Sequence, residues 1–392
     1  MKNRSLLMIP GPIEFDPAVL AALGAPTTGH LAPSFVETFG QVLERMRQVF
    51  QSPDGQPFVI AGSGTLAMDM AACNLVEPGD AVLVVNTGYF GDRMGAILER
   101  YGARVTHLRS EVGGAPSEAE LEAMLRSAAY KFLTITQVDT STGVLVDVKS
   151  LTAIAQRYGV MVVVDGVCSV AGEELMMGEW GVDLAFTASQ KAIGVPPGLA
   201  LMVAGGKALN TFKQRKTPVC NFYGDWTNWL PVMEAYEARK AAYFGTPPVN
   251  LIWALNVSLG QILAEGMPAR FARHHRLGTA FKAGMAALGL QMVPQSAELA
   301  AHTMTAPYCP EGIIPGAVVA AAGKVGVTLA GGLHPAIRDR YFRVGHMGAV
   351  TAGDILATVG AVESGLAAAG YRFASGAGVA AAAVTLASGE PK

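Results

Sequence analysis

From about residue 57 to residue 205 the chain alternates short apolar runs with amphipathic stretches, and few folds accept that rhythm. Phe58-Val59-Ile60, Ala81 to Val85, Phe132 to Ile135, Met161 to Val164 and Leu199 to Val203 read as strands buried on both faces. Leu66–Leu75, Asp92–Tyr101, Glu118–Arg126 and Leu151–Tyr158 read as the helices between them. Such alternation predicts an α/β fold: a mostly parallel sheet of the seven-stranded type, covered by helices, with its ligand site at the C-terminal ends of the strands. Ahead of the sheet, residues 17–50 read as helical, with Phe35, Phe39, Val42, Leu43 and Met46 on one face. Residues 220–267 are aromatic-rich and then helical, and a smaller α/β pattern comes after them. The expected organisation is an N-terminal arm (1–20), a large domain (21–267), a small C-terminal domain (268–373) and a disordered tail (374–392) whose Ala, Gly and Ser lack any large aromatic.

With 51% hydrophobic and 15% charged residues, the chain must bury much of its surface within itself or against a second subunit. No run of eighteen apolar residues free of charges and turn signals is present, so a membrane span is not expected. The apolar stretch near Met1 is too short for a signal peptide. Cys73, Cys168, Cys220 and Cys309 are far apart, without CxxC or metal-ligand spacing, and read as buried free thiols in a reducing cytoplasm with no metal site. A net charge of −2 without a basic cluster gives no footprint for nucleic acid.

The chemistry sits in the turns after the strands. Val162-Val163-Val164-Asp165 delivers a carboxylate, and the next strand runs into Thr187-Ala188-Ser189-Gln190-Lys191-Ala192, which delivers a lysine. A carboxylate and a lysine at adjacent strand ends suit pyridoxal phosphate: lysine forms the Schiff base and aspartate keeps the pyridine nitrogen protonated. The ordinary structural alternative is a surface lysine and a helix-capping aspartate. Other strand ends weigh against it. Ala61-Gly62-Ser63-Gly64-Thr65 opens a helix whose free N–H groups can hold a phosphate, although it has neither GxGxxG nor GxxxxGK[ST] spacing. Asn86 to Arg93 places Tyr89 and Phe90 where an aromatic can stack on a flat ring, and Thr136 to Gly143 adds a loop of hydroxyls.

In this order the motifs resemble the class V aminotransferases of the fold-type I pyridoxal-phosphate enzymes, and within them the alanine–glyoxylate and serine–glyoxylate (serine–pyruvate) branch. The likeness runs from about Leu6 to Phe373. It rests on Ile9-Pro10-Gly11-Pro12, Ala61 to Thr65, Asp139-Thr140-Ser141-Thr142-Gly143, Val164 to Ser169, Ser189 to Ala192, Pro196-Pro197-Gly198, Tyr243 to Pro248 and Arg343 to Gly348. The resemblance implies Lys191 and Asp165 as the catalytic pair and Phe90 as the ring-stacking residue. Ser63, Gly64, Thr65 and Gln190 match positions on the phosphate side, and Thr140 and Val167 further cofactor contacts. Tyr243 and Thr246 match residues that reach the neighbouring subunit's cofactor, so a homodimer with composite sites is implied. Arg343 matches the residue that binds the substrate α-carboxylate, with Gly11 beside the substrate. Gln137 departs from relatives that carry histidine there.

Read on its own, Arg343 lies in a strand-like run, Tyr341-Phe342-Arg343-Val344, where a buried guanidinium needs an anion: a structural carboxylate or a substrate. His346 reads as a turn cap, Asp139 and Asp183 as loop supports, and Glu234, Glu237, Arg239 and Lys240 as a solvated or interfacial helix face. The activity expected is transfer of an amino group from alanine or serine to glyoxylate, since no second arginine is evident for a dicarboxylate. A cysteine desulfurase-like lyase on the same fold needs a late mobile cysteine, and only Cys309 lies beyond Cys220. A non-catalytic cofactor-binding protein would be expected to lose Lys191 or Arg343, and both are present.

Overall fold

Strands with apolar side chains on both faces must be covered on both faces, and the chain does this with a seven-stranded sheet between helices. The computed structural model of the protein describes residues 5–388. In chain order the sheet strands are β1 (Gln56–Ala61), β2 (Ala81–Asn86), β3 (Arg104–Arg109), β4 (Phe132–Thr136), β5 (Met161–Asp165), β6 (Leu184–Ala188) and β7 (Leu199–Ala204). Their spatial order is β1-β7-β6-β5-β4-β2-β3. Only β7 is reversed, pairing antiparallel with both β1 and β6. The other six strands therefore end on one edge. Register fixes the neighbours there: Asp165 pairs with Thr136 on one side and Phe186 on the other.

The helical stretch expected over 17–50 is two helices, Pro17–Leu23 and Pro33–Val49. Gly24 caps the first, Pro26 disfavours helical geometry in the residue before it, and Pro33 starts the second. The predicted face of the second is buried: Phe35, Val42, Leu43 and Met46 are fully enclosed and Phe39 nearly so.

Two apolar cores form. One lies around the sheet; the other gathers Leu277, Phe281, Val318, Phe342, Val344, Ile355 and Val359. Gly266, at φ +84°, joins the last helix of the first body, Val249–Glu265, to the first helix of the second, Met267–Ala287. The N-terminal arm crosses between them. Leu6–Leu7 pairs in parallel with Val327–Thr328, and Met8 is buried in the second core. No helix among the described residues is long and apolar enough to cross a membrane.

The disordered tail expected from residue 374 is not found: Ala377–Ala387 is a helix packed against Met267–Ala287 and Ala352–Ala368. Alanine is the best helix former, and small residues permit close approach. A Cβ on Gly284 would stand 3.1 Å from the Gly378 carbonyl oxygen. The Glu363 carboxylate accepts from the N–H groups of Gly376, Gly378 and Val379 at 2.8–3.1 Å, holding the start of this helix. A missing aromatic is thus no sign of a missing core contact. Residues 389–392 lie outside the described residues. The expectation that all four thiols are buried holds for Cys73 and Cys168 and fails at Cys220, which is exposed, and at Cys309, which is half-buried; all four are free.

Candidate active site

Asp165 and Lys191 stand at adjacent strand ends. Asp165 closes β5 and is 4% exposed; its carboxylate accepts from the Val167 N–H at 2.9 Å. Burial, with Asp139 adding negative charge nearby, pushes its carboxyl up to about 7 despite that bond and the pull of Lys191 and Arg93. Among the described residues no ion pair engages this carboxylate, and a protonated pyridine nitrogen is the kind of partner that fits it.

Lys191 follows β6 in a turn locked by Ser189, whose hydroxyl donates to the Pro196 carbonyl at 2.8 Å and accepts from the Leu199 N–H at 3.2 Å. Ser189 thus shapes the turn. Burial holds the Lys191 ammonium below its ordinary value, with Arg343 adding to the effect and Cys168 and Asp165 opposing it. Its Nζ donates to the Pro10 carbonyl. Gly11, at φ +104°, lies directly alongside: a Cβ there would stand 2.6 Å from Lys191 Cδ. Only glycine leaves the lysine room to pass.

Around this pair, Ser63 precedes the helix Gly64–Leu75, and a Cβ on Gly64 would meet Val167 at 3.0 Å. The helix Tyr89–Arg100 carries Phe90, fixed by Asp139, whose carboxylate accepts from the Phe90 N–H at 2.9 Å and from the Ser141 N–H and hydroxyl at 2.8 and 2.6 Å. Asp139 therefore supports loops, as does Asp183, which accepts from the Val162 N–H at 2.8 Å. Thr140 is buried at the next strand end, near the Cys168 thiol, whose pKa burial pushes up. Gln190 is half-buried, and its side-chain oxygen has no protein partner.

Arg343 comes from the second body, on the strand Phe342–Gly345. Its Nε donates to the Gly331 carbonyl at 2.8 Å and its Nη1 to the Thr140 carbonyl at 3.2 Å. Among the described residues it forms no ion pair. The sequence left open whether its anion was structural; no structural carboxylate fills that role.

Several expectations resolve differently from the core of the site. Tyr243 is 62% exposed beside His30, and among the described residues neither it nor Thr246 makes a hydrogen bond. Gln137 turns its amide to the Glu174 carbonyl at 2.7 Å, so its polarity is directed there. His346 is fully buried, bonded to Thr305 at 2.8 Å, and burial drives its imidazole down to about 3, a neutral structural group. Glu237, the last residue of its helix, pairs with Arg47, and Arg239 in the turn after it pairs with Glu37 and Glu44, so this face is tied to the helix Pro33–Val49. Cys309 packs at the edge of the second core. Sequence reading assigned no role to Pro10, whose carbonyl receives Lys191, or to Arg93. The spacing of Arg93 from Phe90 and Tyr89, three and four residues along one helix, was the available signal.

These groups fit pyridoxal phosphate: a buried carboxylate for its nitrogen, a buried lysine for its aldehyde, an aromatic beside it and a helix N-terminus for its phosphate. A family model for the class V aminotransferases matches residues 20–350. Alanine–glyoxylate aminotransferase 1 of Saccharomyces cerevisiae is 42% identical over 363 residues, covering 88% of this chain and 93% of that protein. The L-aspartate–glyoxylate aminotransferase of Paracoccus denitrificans is 31% identical over 387 residues, covering 97% and 96%. The crystal structure of ureidoglycine–glyoxylate aminotransferase from Bacillus subtilis matches with a TM-score of 0.92 at 25% identity, covering 98% of each chain. With its lysine–aspartate pair at the sheet edge, the chain belongs to the class V aminotransferases, pyridoxal-phosphate enzymes of fold-type I.

Proposed function

We propose that this aminotransferase moves the amino group of a small amino acid, alanine or serine, to glyoxylate, giving glycine and a 2-oxo acid. The observation that carries the reading is Arg343: a guanidinium whose charge is felt at Lys191, tied to two carbonyls, with no carboxylate of its own among the described residues. It suits the α-carboxylate that donor and acceptor share. The Saccharomyces and Paracoccus relatives are both named for glyoxylate but for different donors, so support is stronger for the acceptor than for the donor.

When bound, pyridoxal phosphate supplies an electron sink for the charge left at the substrate Cα. Lys191 Nζ would hold that group, and its buried amine is the base placed to take a proton from the substrate Cα and give it back. Its depressed basicity makes it a better shuttle near neutral pH. Asp165 would keep the ring nitrogen protonated, Phe90 would stack on the ring, and Arg343 would orient the substrate. Ser63, Gly64, Thr65 and Gln190 would hold the phosphate, and Thr140 and Val167 would border the ring.

The test is a donor panel with glyoxylate. Alanine or serine should exceed glutamate and aspartate in kcat/KM by about tenfold or more. A preference for aspartate would reject the small-donor reading. Arg343→Ala should raise KM for every donor and for glyoxylate by roughly tenfold to a hundredfold, the effect of losing one charged hydrogen-bonded pair. Unchanged KM values would make Arg343 structural.

The working unit in this reading is a homodimer in the cytoplasm. Phe222 is 82% exposed, Tyr243 62% and Tyr223 38%, aromatic surface of the sort subunits cover. Tyr243 and Thr246 would reach the phosphate end of the neighbouring site. Mixing an inactive Lys191→Ala chain with an inactive Thr246→Ala chain should then restore activity, because one of the two mixed sites is intact. No recovery in heterodimers verified by mass would show that each chain builds its own site. The four free thiols suit a reducing compartment.

A further inference from the structure

A phosphate monoester carries a charge of about −1.5 to −2 at neutral pH, and a buried anion of that size needs a cation or many donors. The residues matched to the phosphate side are Ser63, Gly64, Thr65, Gln190, Tyr243 and Thr246, and none is charged. Lys191 and Arg343 are committed to the aldehyde and the substrate carboxylate. Arg93 is a further cation at this end of the site. Its Nη1 donates to Thr65 Oγ1 at 3.1 Å and its Nη2 to the Tyr89 hydroxyl at 3.3 Å. Its guanidinium carbon lies 4.9 Å from the Phe90 ring centroid and 5.0 Å from that of Tyr89. It touches both the phosphate-side threonine and the stacking aromatic.

No acid quenches it. Among the described residues Arg93 has no ion pair, and its neighbour Asp92 is engaged by Arg109 at 2.5 Å and Asn86 at 2.9 Å. The charge of Arg93 is also felt at Asp165, so it acts across the site.

We infer that Arg93 is a positioning residue for the cofactor: it supplies the positive charge for the phosphate and holds Thr65 beside it, its own guanidinium steadied over the Phe90 and Tyr89 rings. Arginine suits this double task, since its planar group stacks on an aromatic face while its edge donates to oxygen. The inference rests on pyridoxal phosphate being the bound group, which labelling of Lys191 tests independently.

The experiment compares two ligands on the cofactor-depleted enzyme: pyridoxal phosphate, and pyridoxal, which has the ring and aldehyde but no phosphate. Arg93→Gln should raise the dissociation constant of pyridoxal phosphate by about tenfold to a hundredfold. It should leave that of pyridoxal within about threefold, and Arg93→Lys should lie between Gln and wild type, since it keeps the charge and loses the fork. Thermal unfolding of the depleted variants checks that the fold survives. If Arg93→Gln proves unstable, Arg93→Lys carries the same comparison, with a smaller loss confined to the phosphorylated ligand. Equal weakening of both ligands, or no weakening of pyridoxal phosphate, would overturn the inference; a labelled Lys191 alongside either result would leave the cofactor assignment standing.

Discussion

Lys191→Ala should bind pyridoxal phosphate without covalent attachment and lose amino-group transfer by about 10⁴-fold or more, the upper range for removing a positioned general base. The lysine is enclosed on every side. It is 7% exposed, lies against Gly11 and donates to the Pro10 carbonyl. Borohydride reduction of the wild-type enzyme, followed by peptide mapping, should put the pyridoxyl group on Lys191 alone. In the Ala variant the same treatment should label no peptide. Label on another lysine, or turnover within tenfold of wild type, would remove the mechanism proposed here. An added small primary amine should restore part of the activity, because the Ala variant leaves room where the aminobutyl chain stood.

The sheet and its chemistry were legible because both depend on short-range sequence. Strands such as Val162–Val164 announce themselves by apolar runs, and the residues just after each run must stand at a strand end. Asp165 and Lys191 could therefore be placed side by side before any packing was known. Groups that arrive from far along the chain were harder to place. Arg343 was recognisable as an arginine in a strand, but its lack of a carboxylate partner is a fact of tertiary structure. Pro10 reaches Lys191 because Leu6–Leu7 joins a strand more than three hundred residues away, at Val327–Thr328. The helix Ala377–Ala387 was missed for a related reason: its stability comes from close packing of small side chains and from Glu363, neither visible in local composition. Arg93 escaped because a charge on a helix ordinarily faces water, and only its contacts with Thr65 and Phe90 set it apart.

Asp165→Asn should retain the fold and most cofactor binding, yet slow turnover by roughly 10²–10⁴-fold. Removing one partner of a buried charge pair costs about 3–5 kcal/mol, and each 1.4 kcal/mol is tenfold in rate. The same residue gives a signature in stability that does not depend on turnover. In the polypeptide alone, burial and Asp139 raise this carboxyl from 3.8 to about 7. A group whose folded value is raised contributes stability that is fully present below its unfolded value and lost as pH rises through the folded value. Relative to Asp165→Asn, the cofactor-depleted wild type should therefore lose stability between about pH 4 and pH 7. With pyridoxal phosphate bound, a protonated ring nitrogen beside Asp165 favours the carboxylate, and the loss should shrink or reverse. Denaturant unfolding of both proteins, depleted and loaded, at several pH values supplies the comparison. Parallel pH profiles for the two depleted proteins would mean that Asp165 does not carry the buried charge assigned to it. Near-native turnover in Asp165→Asn would mean that the ring nitrogen does not rely on it.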